Sequence, residues 1–353
     1  MKNPITENEV VSEDEEPSPV FQQRKRKLEI VSKPPKRSRD EFESSLSKNW
    51  REEVKVIDGL RIPRALWSKL RAHQKAGVVW LWKRIRGNSG GILGDEMGLG
   101  KTVQIISLCV GMFEGNFNDP ILIIVPCTLQ RQWMQEFIKW WPLLNVKLIS
   151  SGKKFRPREK TVYVTGYERA RTMDDQLVDN HWGLVVCDEG HRLRNQKCQT
   201  TRTIKLVSCD ARFILSGSPI MNNLSELWSL VDFVQPGLLG KHQVFNEQLA
   251  IPISQGSHAN SSPLQIATAL RCAEEVRSLI KPVMLRRLKS QVDLVVSEKQ
   301  EHVLFIKMTK RQANIYNKFL DSDAVKKVIN GDSRCFSVLS QLRKVRLYVV
   351  IYK

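Results

Sequence analysis

Short apolar runs that each lead into a loop recur along the chain from about residue 60. The sequence ILIIVP at 121–126 is continuously apolar, as is typical of a strand buried on both faces of a parallel sheet. After it, Leu129, Trp133, Phe137 and Trp140 follow the spacing of one helical face. This alternation predicts an α/β domain built on a doubly wound parallel sheet.

The ends of the apolar runs indicate where a site should lie. In doubly wound sheets, ligands bind beyond the carboxyl ends of the strands. We therefore expect the loops that follow Gly94, Val125, Cys187 and Leu215 to converge. The other strand-like runs are GGILG (90–94), TVYVTGY (161–167), GLVVCDE (183–189) and ARFILSGSP (211–219).

A glycine-rich loop joins the run at 90–94 to a helix predicted from Thr102. Gly98 and Gly100 let the backbone approach closely, and amides at the start of a helix can point at a phosphate. Lys101 would then contact the β and γ phosphates of a nucleotide, and the Thr102 hydroxyl would bind Mg²⁺. The alternative is a glycine turn that precedes a helix and binds nothing.

The acidic pair Asp95-Glu96 sets this loop apart from the usual pattern, which has glycine at the position of Asp95. Both residues precede the stretch that would surround a phosphate. We expect their carboxylates to point away from that phosphate, towards neighbouring loops or basic residues.

A second acidic pair, Asp188-Glu189, ends the apolar run of VVCDEGH. In nucleotide hydrolases of this architecture, the first carboxylate holds Mg²⁺ and the second can polarise water. The alternative is two exposed acids at the end of a strand. The loop and the acidic pair together are more specific than either alone.

The chain is strongly basic, with 56 Lys and Arg against 37 Asp and Glu and a net charge of +19. This excess suggests a polyanionic partner, either nucleic acid or an anionic membrane surface, although a basic surface can also be uninvolved. Residues 1–52 are predicted to be a disordered, charged tail. Its basic clusters at 24–27 and 33–39 are similar to a bipartite nuclear-import signal, the alternative being a solvated run of charge.

Seven cysteines occur without any C-x-x-C pair, which favours reduced, buried thiols of an intracellular protein over a disulfide framework or a zinc site. No apolar run approaches the ~18 residues of a membrane span.

Five motifs in order carry a family resemblance: LRAHQKAGVVWLW, GDEMGLGKTVQ, DEGHRLRN, LSGSPIMNNLSELWSL and MLRRLKSQV. Together they resemble helicase superfamily two and, within it, the Swi/Snf-type DNA-dependent ATPases, over about residues 55 to 345. The residues of these motifs are most similar to those of the Cockayne syndrome group B branch, which acts in transcription-coupled DNA repair. Recombination-type relatives also carry D-E-G-H.

The resemblance implies roles for individual residues. Lys101, Asp188 and Glu189 match the catalytic residues, and Thr102 and Asp188 match the metal ligands. Gln74 matches the glutamine that recognises adenine. The set implied to bind ATP and Mg²⁺ is Gln74, Asp95, Glu96, Met97, Gly98, Leu99, Gly100, Lys101 and Thr102.

Further motifs are implied to couple hydrolysis to DNA. Ser216, Gly217 and Ser218 match the coupling segment. Gly190 and His191 complete the D-E-G-H box, where His191 is expected to bond to neighbouring loops or to be an ordinary structural histidine. The implied DNA-backbone contacts are Thr128, Gln132 and Thr165. For Trp133, Trp140 and Trp141, core packing is favoured over base stacking.

The resemblance also implies an organisation and an activity. Residues 53–240 match a RecA-like first lobe, 241–295 a helical extension and linker, and 296–353 the truncated beginning of a second lobe. The implied function is ATP-dependent translocation on double-stranded DNA at stalled RNA polymerase II, in the nucleus and without a membrane. The alternatives are a one-lobed fragment that binds ATP and DNA with little hydrolysis, or a recombination or chromatin-remodelling relative. A kinase is disfavoured because H-R-D and D-F-G are absent.

Overall fold

The computed structural model describes residues 52–149, 156–172, 174–196, 198–217, 223–292, 309–330, 335–336 and 338–343. The chain divides into two compact units, Met1–Leu294 and Val295–Lys353. The described part of the second unit contains the helices Lys310–Leu320 and Asp323–Ile329. Of the predicted tail at 1–52, residues 1–51 lie outside the described residues.

A parallel sheet of seven strands forms the centre of the first unit, in the order β5-β6-β4-β7-β8-β3-β9. A short antiparallel pair, β1 and β2, precedes it along the chain. The bounds are β1 Glu53–Ile57, β2 Leu60–Pro63, β3 Gly91–Leu93, β4 Ile121–Val125, β5 Val146–Leu148, β6 Val162–Gly166, β7 Leu184–Asp188, β8 Arg212–Leu215 and β9 Met284–Leu285.

Helices follow most of the strands, and the helix after the glycine-rich loop begins at Lys101, one residue before the predicted start at Thr102. The side chain of Asn223 accepts a hydrogen bond from the amide of Ser225 and so caps the helix Leu224–Val234. The helices of the first unit are α1 Arg64–Trp67, α2 Ala72–Arg86, α3 Lys101–Glu114, α4 Gln130–Trp140, α5 Tyr167–Thr172, α6 Asp174–Val178, α7 Gln199–Leu206, α8 Leu224–Val234, α9 His242–Phe245, α10 Ile251–Gly256 and α11 Pro263–Ile280.

Two hydrophobic cores lie on opposite faces of the sheet, as the period of two of a strand requires. In β4, Ile121, Ile123 and Val125 pack into one core, which also contains residues of α2, α3 and α4. Leu122 and Ile124 point to the other core, which contains residues of α5, α7 and α8. Burial on both faces explains the continuous apolar run and confirms the doubly wound α/β prediction.

The edge strand β9 lies within 241–295, the segment expected to be a helical extension and linker. After α11 the chain returns to the sheet and pairs in parallel with β3. The amides of Ile92 and Gly94 each donate a 2.7 Å hydrogen bond, to the carbonyls of Val283 and Leu285 respectively. The sheet is therefore completed by residues from the end of the first unit.

The cysteines are all free, as predicted, but they are not all buried. Cys109 and Cys187 lie in the core, where burial raises the pKa of each thiol. Cys127, Cys198 and Cys335 are exposed, so the prediction of burial is wrong for these three. No helix among the described residues is both long and apolar enough to cross a membrane.

Candidate functional site

Four loops meet at the carboxyl ends of the strands, because β4, β7, β8 and β3 are adjacent and parallel. The amide of Ser216, just after β8, donates to the carbonyl of Leu93 at 3.2 Å. Trp133 of α4 donates its indole N–H to Asp188 Oδ2 at 2.7 Å. The predicted convergence of the loops after Gly94, Val125, Cys187 and Leu215 is confirmed.

The glycine-rich loop adopts a backbone that ordinary residues avoid. Gly98 and Gly100 have φ angles of +89° and +83°, in the left-handed region that favours glycine. A Cβ atom at Gly100 would also lie 2.4 Å from Nε2 of Gln74. Gly100 is the N-cap of α3, whose first amides have no partners within the helix and form a ready anion site.

Lys101, the first residue of α3, reaches back across the loop. Its ammonium donates to the carbonyl oxygen of Asp95 at 2.8 Å. Burial lowers the pKa of Lys101, while the negative charges of Asp188, Asp95 and Glu189 oppose that shift. The two predicted motifs, loop and acidic pair, are thus close enough to interact electrostatically.

The carboxylates of Asp95 and Glu96 accept hydrogen bonds from basic residues, as predicted. Asp95 is fully buried, and both of its oxygens accept hydrogen bonds from the guanidinium of Arg287. Glu96 accepts from the amide of Lys289 at 2.7 Å. The basic residues come from the segment after β9, almost 200 positions away, a pairing that the sequence does not predict.

Gln74 lies against the loop at the start of α2. Its Nε2 donates to the carbonyl of Leu99 at 3.2 Å, and its Oε1 accepts from the amide of Arg71 at 3.0 Å. His73 Nε2 lies 3.0 Å from the same Leu99 oxygen. Two side chains of α2 therefore support the loop, and sequence reasoning had identified only Gln74.

Asp188 is the more enclosed member of the acidic pair. Burial raises its pKa, against the lowering effect of hydrogen bonds from Trp133 and from the amide of Glu189. Trp133 is itself 2% exposed, so the expectation of core packing is confirmed, but its N–H also bonds the carboxylate. No sequence signal identified this second contribution of Trp133.

Glu189, the second residue of the D-E-G-H box, has a φ of +49°. His191 Nδ1 lies 3.2 Å from Glu189 Oε2, so one partner of this histidine belongs to its own motif. A Cβ atom at Gly190 would lie 2.5 Å from the Ile214 side chain. Glycine is therefore required where the box passes over β8.

The coupling segment lies beside the glycine-rich loop. Ser216 is 1% exposed, and a Cβ atom at Gly217 would lie 2.8 Å from Met97 Cγ. Met97 itself is largely exposed. Ser218 lies outside the described residues.

The three residues expected at DNA differ in exposure. Thr128, just before α4, and Gln132, in its first turn, are exposed. Thr165 is fully buried in β6, and its hydroxyl is without a hydrogen-bond partner among the described residues. Direct contact between Thr165 and a DNA backbone is therefore incompatible with this structure, because both faces of β6 are covered.

The residues at the carboxyl ends of these strands fit a nucleotide and its metal. The glycine backbone leaves space where side chains would collide, and α3 presents free amides. The Thr102 hydroxyl and the Asp188 carboxylate are hard oxygen donors of the kind that Mg²⁺ prefers. Fold and site together define a RecA-like lobe whose glycine-rich loop can accommodate a phosphate.

Within that class the family is specific: the chain belongs to the SNF2-related domain family, whose model matches residues 73–347. It is 41% identical over 318 residues to mouse DNA excision repair protein ERCC-6, covering 83% of this chain and 21% of that protein. It is 34% identical to DNA repair and recombination protein RAD26 of Saccharomyces cerevisiae, covering 83% of this chain and 32% of that protein.

A solved structure supports the fold. The Sulfolobus solfataricus SWI2/SNF2 ATPase core in complex with dsDNA matches with a TM-score of 0.57 at 26% identity. The match covers 78% of this chain and 58% of that one. The chain thus spans about a fifth to a third of these two curated relatives.

Proposed function

We propose that this chain carries the first motor lobe of an ATP-dependent double-stranded DNA translocase that acts in DNA repair. The observation that carries the proposal is that the loop with Lys101 and the acidic pair Asp188-Glu189 both lie at the carboxyl ends of parallel strands of one sheet, in a SNF2-related domain. There the charges of the acidic pair act on the pKa of Lys101. A glycine backbone that accommodates phosphate and two carboxylates beside it are the parts that nucleotide hydrolysis requires.

Each residue has a distinct proposed task. The Lys101 ammonium, held by the Asp95 carbonyl, exchanges that partner for phosphate oxygens. Thr102 and Asp188 would hold Mg²⁺, which supplies neutralisation of the phosphate charge. Glu189, fixed by His191, orients and deprotonates the attacking water. Gln74 recognises adenine, as the family resemblance implies.

DNA is the proposed polyanionic partner. The net charge of +19 favours phosphate contacts, and the matching archaeal core is described in complex with dsDNA. Thr128, just before α4, and Gln132, in its first turn, are exposed and polar, so they can contact a DNA backbone without reading its sequence. A motor that walks along any sequence needs contacts of this kind.

A repair role at stalled RNA polymerase II, in the nucleus, is the finer part of the proposal. It rests on relatives named as DNA excision repair and DNA repair and recombination proteins, and on the resemblance to the Cockayne syndrome group B branch. Nuclear import would use the basic clusters at 24–27 and 33–39, which lie outside the described residues. Deletion of 24–39 with unchanged nuclear accumulation would exclude these clusters as the signal.

The test is ATP hydrolysis by the purified chain with and without duplex DNA. We expect stimulation by DNA, and its loss in Lys101→Ala and Glu189→Gln, the latter by about 10²–10⁴-fold because a general base is removed. Glu274→Gln is the matched control, since Glu274 is an exposed glutamate on α11. Nucleotide and DNA binding without stimulated hydrolysis would instead indicate a binding fragment with little activity.

A further inference from the structure

The guanidinium of Arg287 joins four separate parts of the lobe. Arg287 follows β9, and its Nε donates to Asp95 Oδ1 at 2.9 Å. One terminal nitrogen donates to Gln104 Oε1 of α3 at 3.1 Å, and the other donates to the carbonyl of His73 in α2. A single side chain thus connects the edge strand, the start of the glycine-rich loop and the two helices that flank it.

Burial of the contacting side chains restricts where the Asp95 carboxylate can lie. Asp95 and Gln104 have no exposed surface, and Gln104 Nε2 donates to Asp95 Oδ2 at 3.1 Å. A buried carboxylate is costly without a paired, hydrogen-bonding cation, so Asp95 is held where Arg287 is. Gly77 makes the space, because a Cβ atom there would lie 1.8 Å from Gln104 Oε1 and 2.9 Å from the Arg287 guanidinium.

The same residue, Asp95, also contacts the proposed phosphate-binding lysine. Its backbone carbonyl accepts the hydrogen bond from Lys101 Nζ, while its side chain is engaged by Arg287. The backbones of the two segments are also bonded directly: the amide of Glu96 donates to the carbonyl of Arg287 at 2.9 Å. The contacts form a continuous path from Arg287 through Asp95 to Lys101.

We propose that Arg287 is a positioning residue of the phosphate-binding loop, which sets the place of Lys101 through Asp95 without touching the nucleotide. The inference rests on the proposed function for the role of Lys101. The planar fork of arginine is required, because lysine offers the charge but not the simultaneous bonds to the carboxylate, the amide oxygen and the backbone carbonyl.

The first experiment follows hydrogen–deuterium exchange in the nucleotide-free 353-residue chain. We expect Arg287→Gln to accelerate exchange of the amides of 96–101 by about tenfold or more, with β4 at 121–125 unchanged. Arg287→Lys should show a smaller effect in the same place. The control is Arg286→Gln, because Arg286 is exposed. Equal acceleration in the loop and in β4, or none in either, would overturn the proposal.

The double variant Asp95→Asn with Arg287→Gln protects the experiment against misfolding, since it leaves no unpaired buried charge. It should also fold with β4 protected and the loop exchanging faster than in the unmodified chain. Protection of the loop equal to that of the unmodified chain would show that Arg287 does not position it.

The second experiment is a double-mutant cycle measured by binding of a fluorescent ATP analogue. If Arg287 acts through Lys101, Arg287→Gln and Lys101→Ala should be non-additive, the double variant binding about as weakly as Lys101→Ala alone. Arg286→Gln should leave affinity unchanged in either background. Additive losses would contradict the proposal. If the unmodified chain binds no nucleotide, the proposed function fails, whereas the exchange experiment still decides the role of Arg287.

Discussion

At the scale of single residues, Gly100 carries two constraints at once. Its φ of +83° is one that side-chain-bearing residues rarely adopt, and the space where a Cβ atom would lie is occupied by Gln74. Gly237 has nearly the same φ, +82°, with nothing within 4 Å of a Cβ position. Substitution of Gly237 would therefore introduce backbone strain alone, whereas substitution of Gly100 would introduce strain and a steric clash.

We therefore expect Gly237→Ala to cost about 1 kcal/mol of unfolding free energy through strain alone. Gly100→Ala should cost more, and it should also abolish nucleotide binding because Gln74 is displaced. Urea denaturation and titration with a fluorescent ATP analogue measure the two effects. Equal losses of stability with nucleotide affinity intact would show that the loop yields to the added methyl group.

The hydrogen bond from Trp133 to Asp188 has a consequence for pH dependence. Burial raises the pKa of Asp188 above its ordinary 3.8, so the folded chain binds this proton more tightly than the unfolded chain. The contribution of Asp188 to stability therefore falls as the pH rises from 3.8 through the folded-state pKa. The Trp133 N–H limits that fall by stabilising the carboxylate.

Trp133→Phe should raise the pKa of Asp188 further and should destabilise the chain more at pH 7 to 8 than at about pH 4. Trp182→Phe is a matched control, because Trp182 is equally buried and its N–H donates to the Leu177 carbonyl instead of to a carboxylate. Unfolding midpoints across the pH range give the comparison. A pH-independent loss in Trp133→Phe would contradict the role of the indole.

At the scale of elements, local pattern predicts most of the sheet and helices. The predictions of a buried strand at 121–126 and of a helix that buries Trp133 and Phe137 are correct, because burial dictates the residue type at each position. Strand β9 is different: it has two residues and is defined by pairing with β3. Likewise, nothing near Arg287 in the sequence indicates Asp95 as its partner. Contacts between distant positions have no local signature.

Helix α4 supplies the prediction at this scale. Gln132 is exposed at its beginning, near the carboxyl ends of the strands. Gln132→Glu should weaken duplex DNA binding by about tenfold, because a carboxylate repels phosphate. Gln255→Glu makes the same charge change on an exposed glutamine of α10 and should have little effect. Fluorescence anisotropy measures both, and equal weakening would place the DNA elsewhere.

At the scale of the whole molecule, charge dominates. The excess of 19 basic residues favours a polyanionic partner, and we propose duplex DNA as that partner. The sequence indicates which motifs lie at the proposed site. It could not predict that Thr165 is buried, since a strand that is covered on both faces by helices hides polar and apolar residues alike.

DNA affinity should consequently fall steeply with salt. For ~4 neutralised phosphates, raising the salt from about 50 to 200 mM should weaken binding about a hundredfold through lost counterion release. Different duplex sequences of equal length should give the same slope, because backbone contacts carry no sequence information. Affinity that is insensitive to salt would contradict the phosphate-contact interpretation.

The placement of Arg287 also determines how short a separately folding version of this lobe can be. A fragment that ends at residue 240 retains Asp95 but lacks the arginine whose guanidinium bonds both of its carboxylate oxygens. Asp95 would then be a buried carboxylate without its paired cation, which is costly. A fragment meant to fold by itself should therefore run through Lys289, whose amide bonds Glu96.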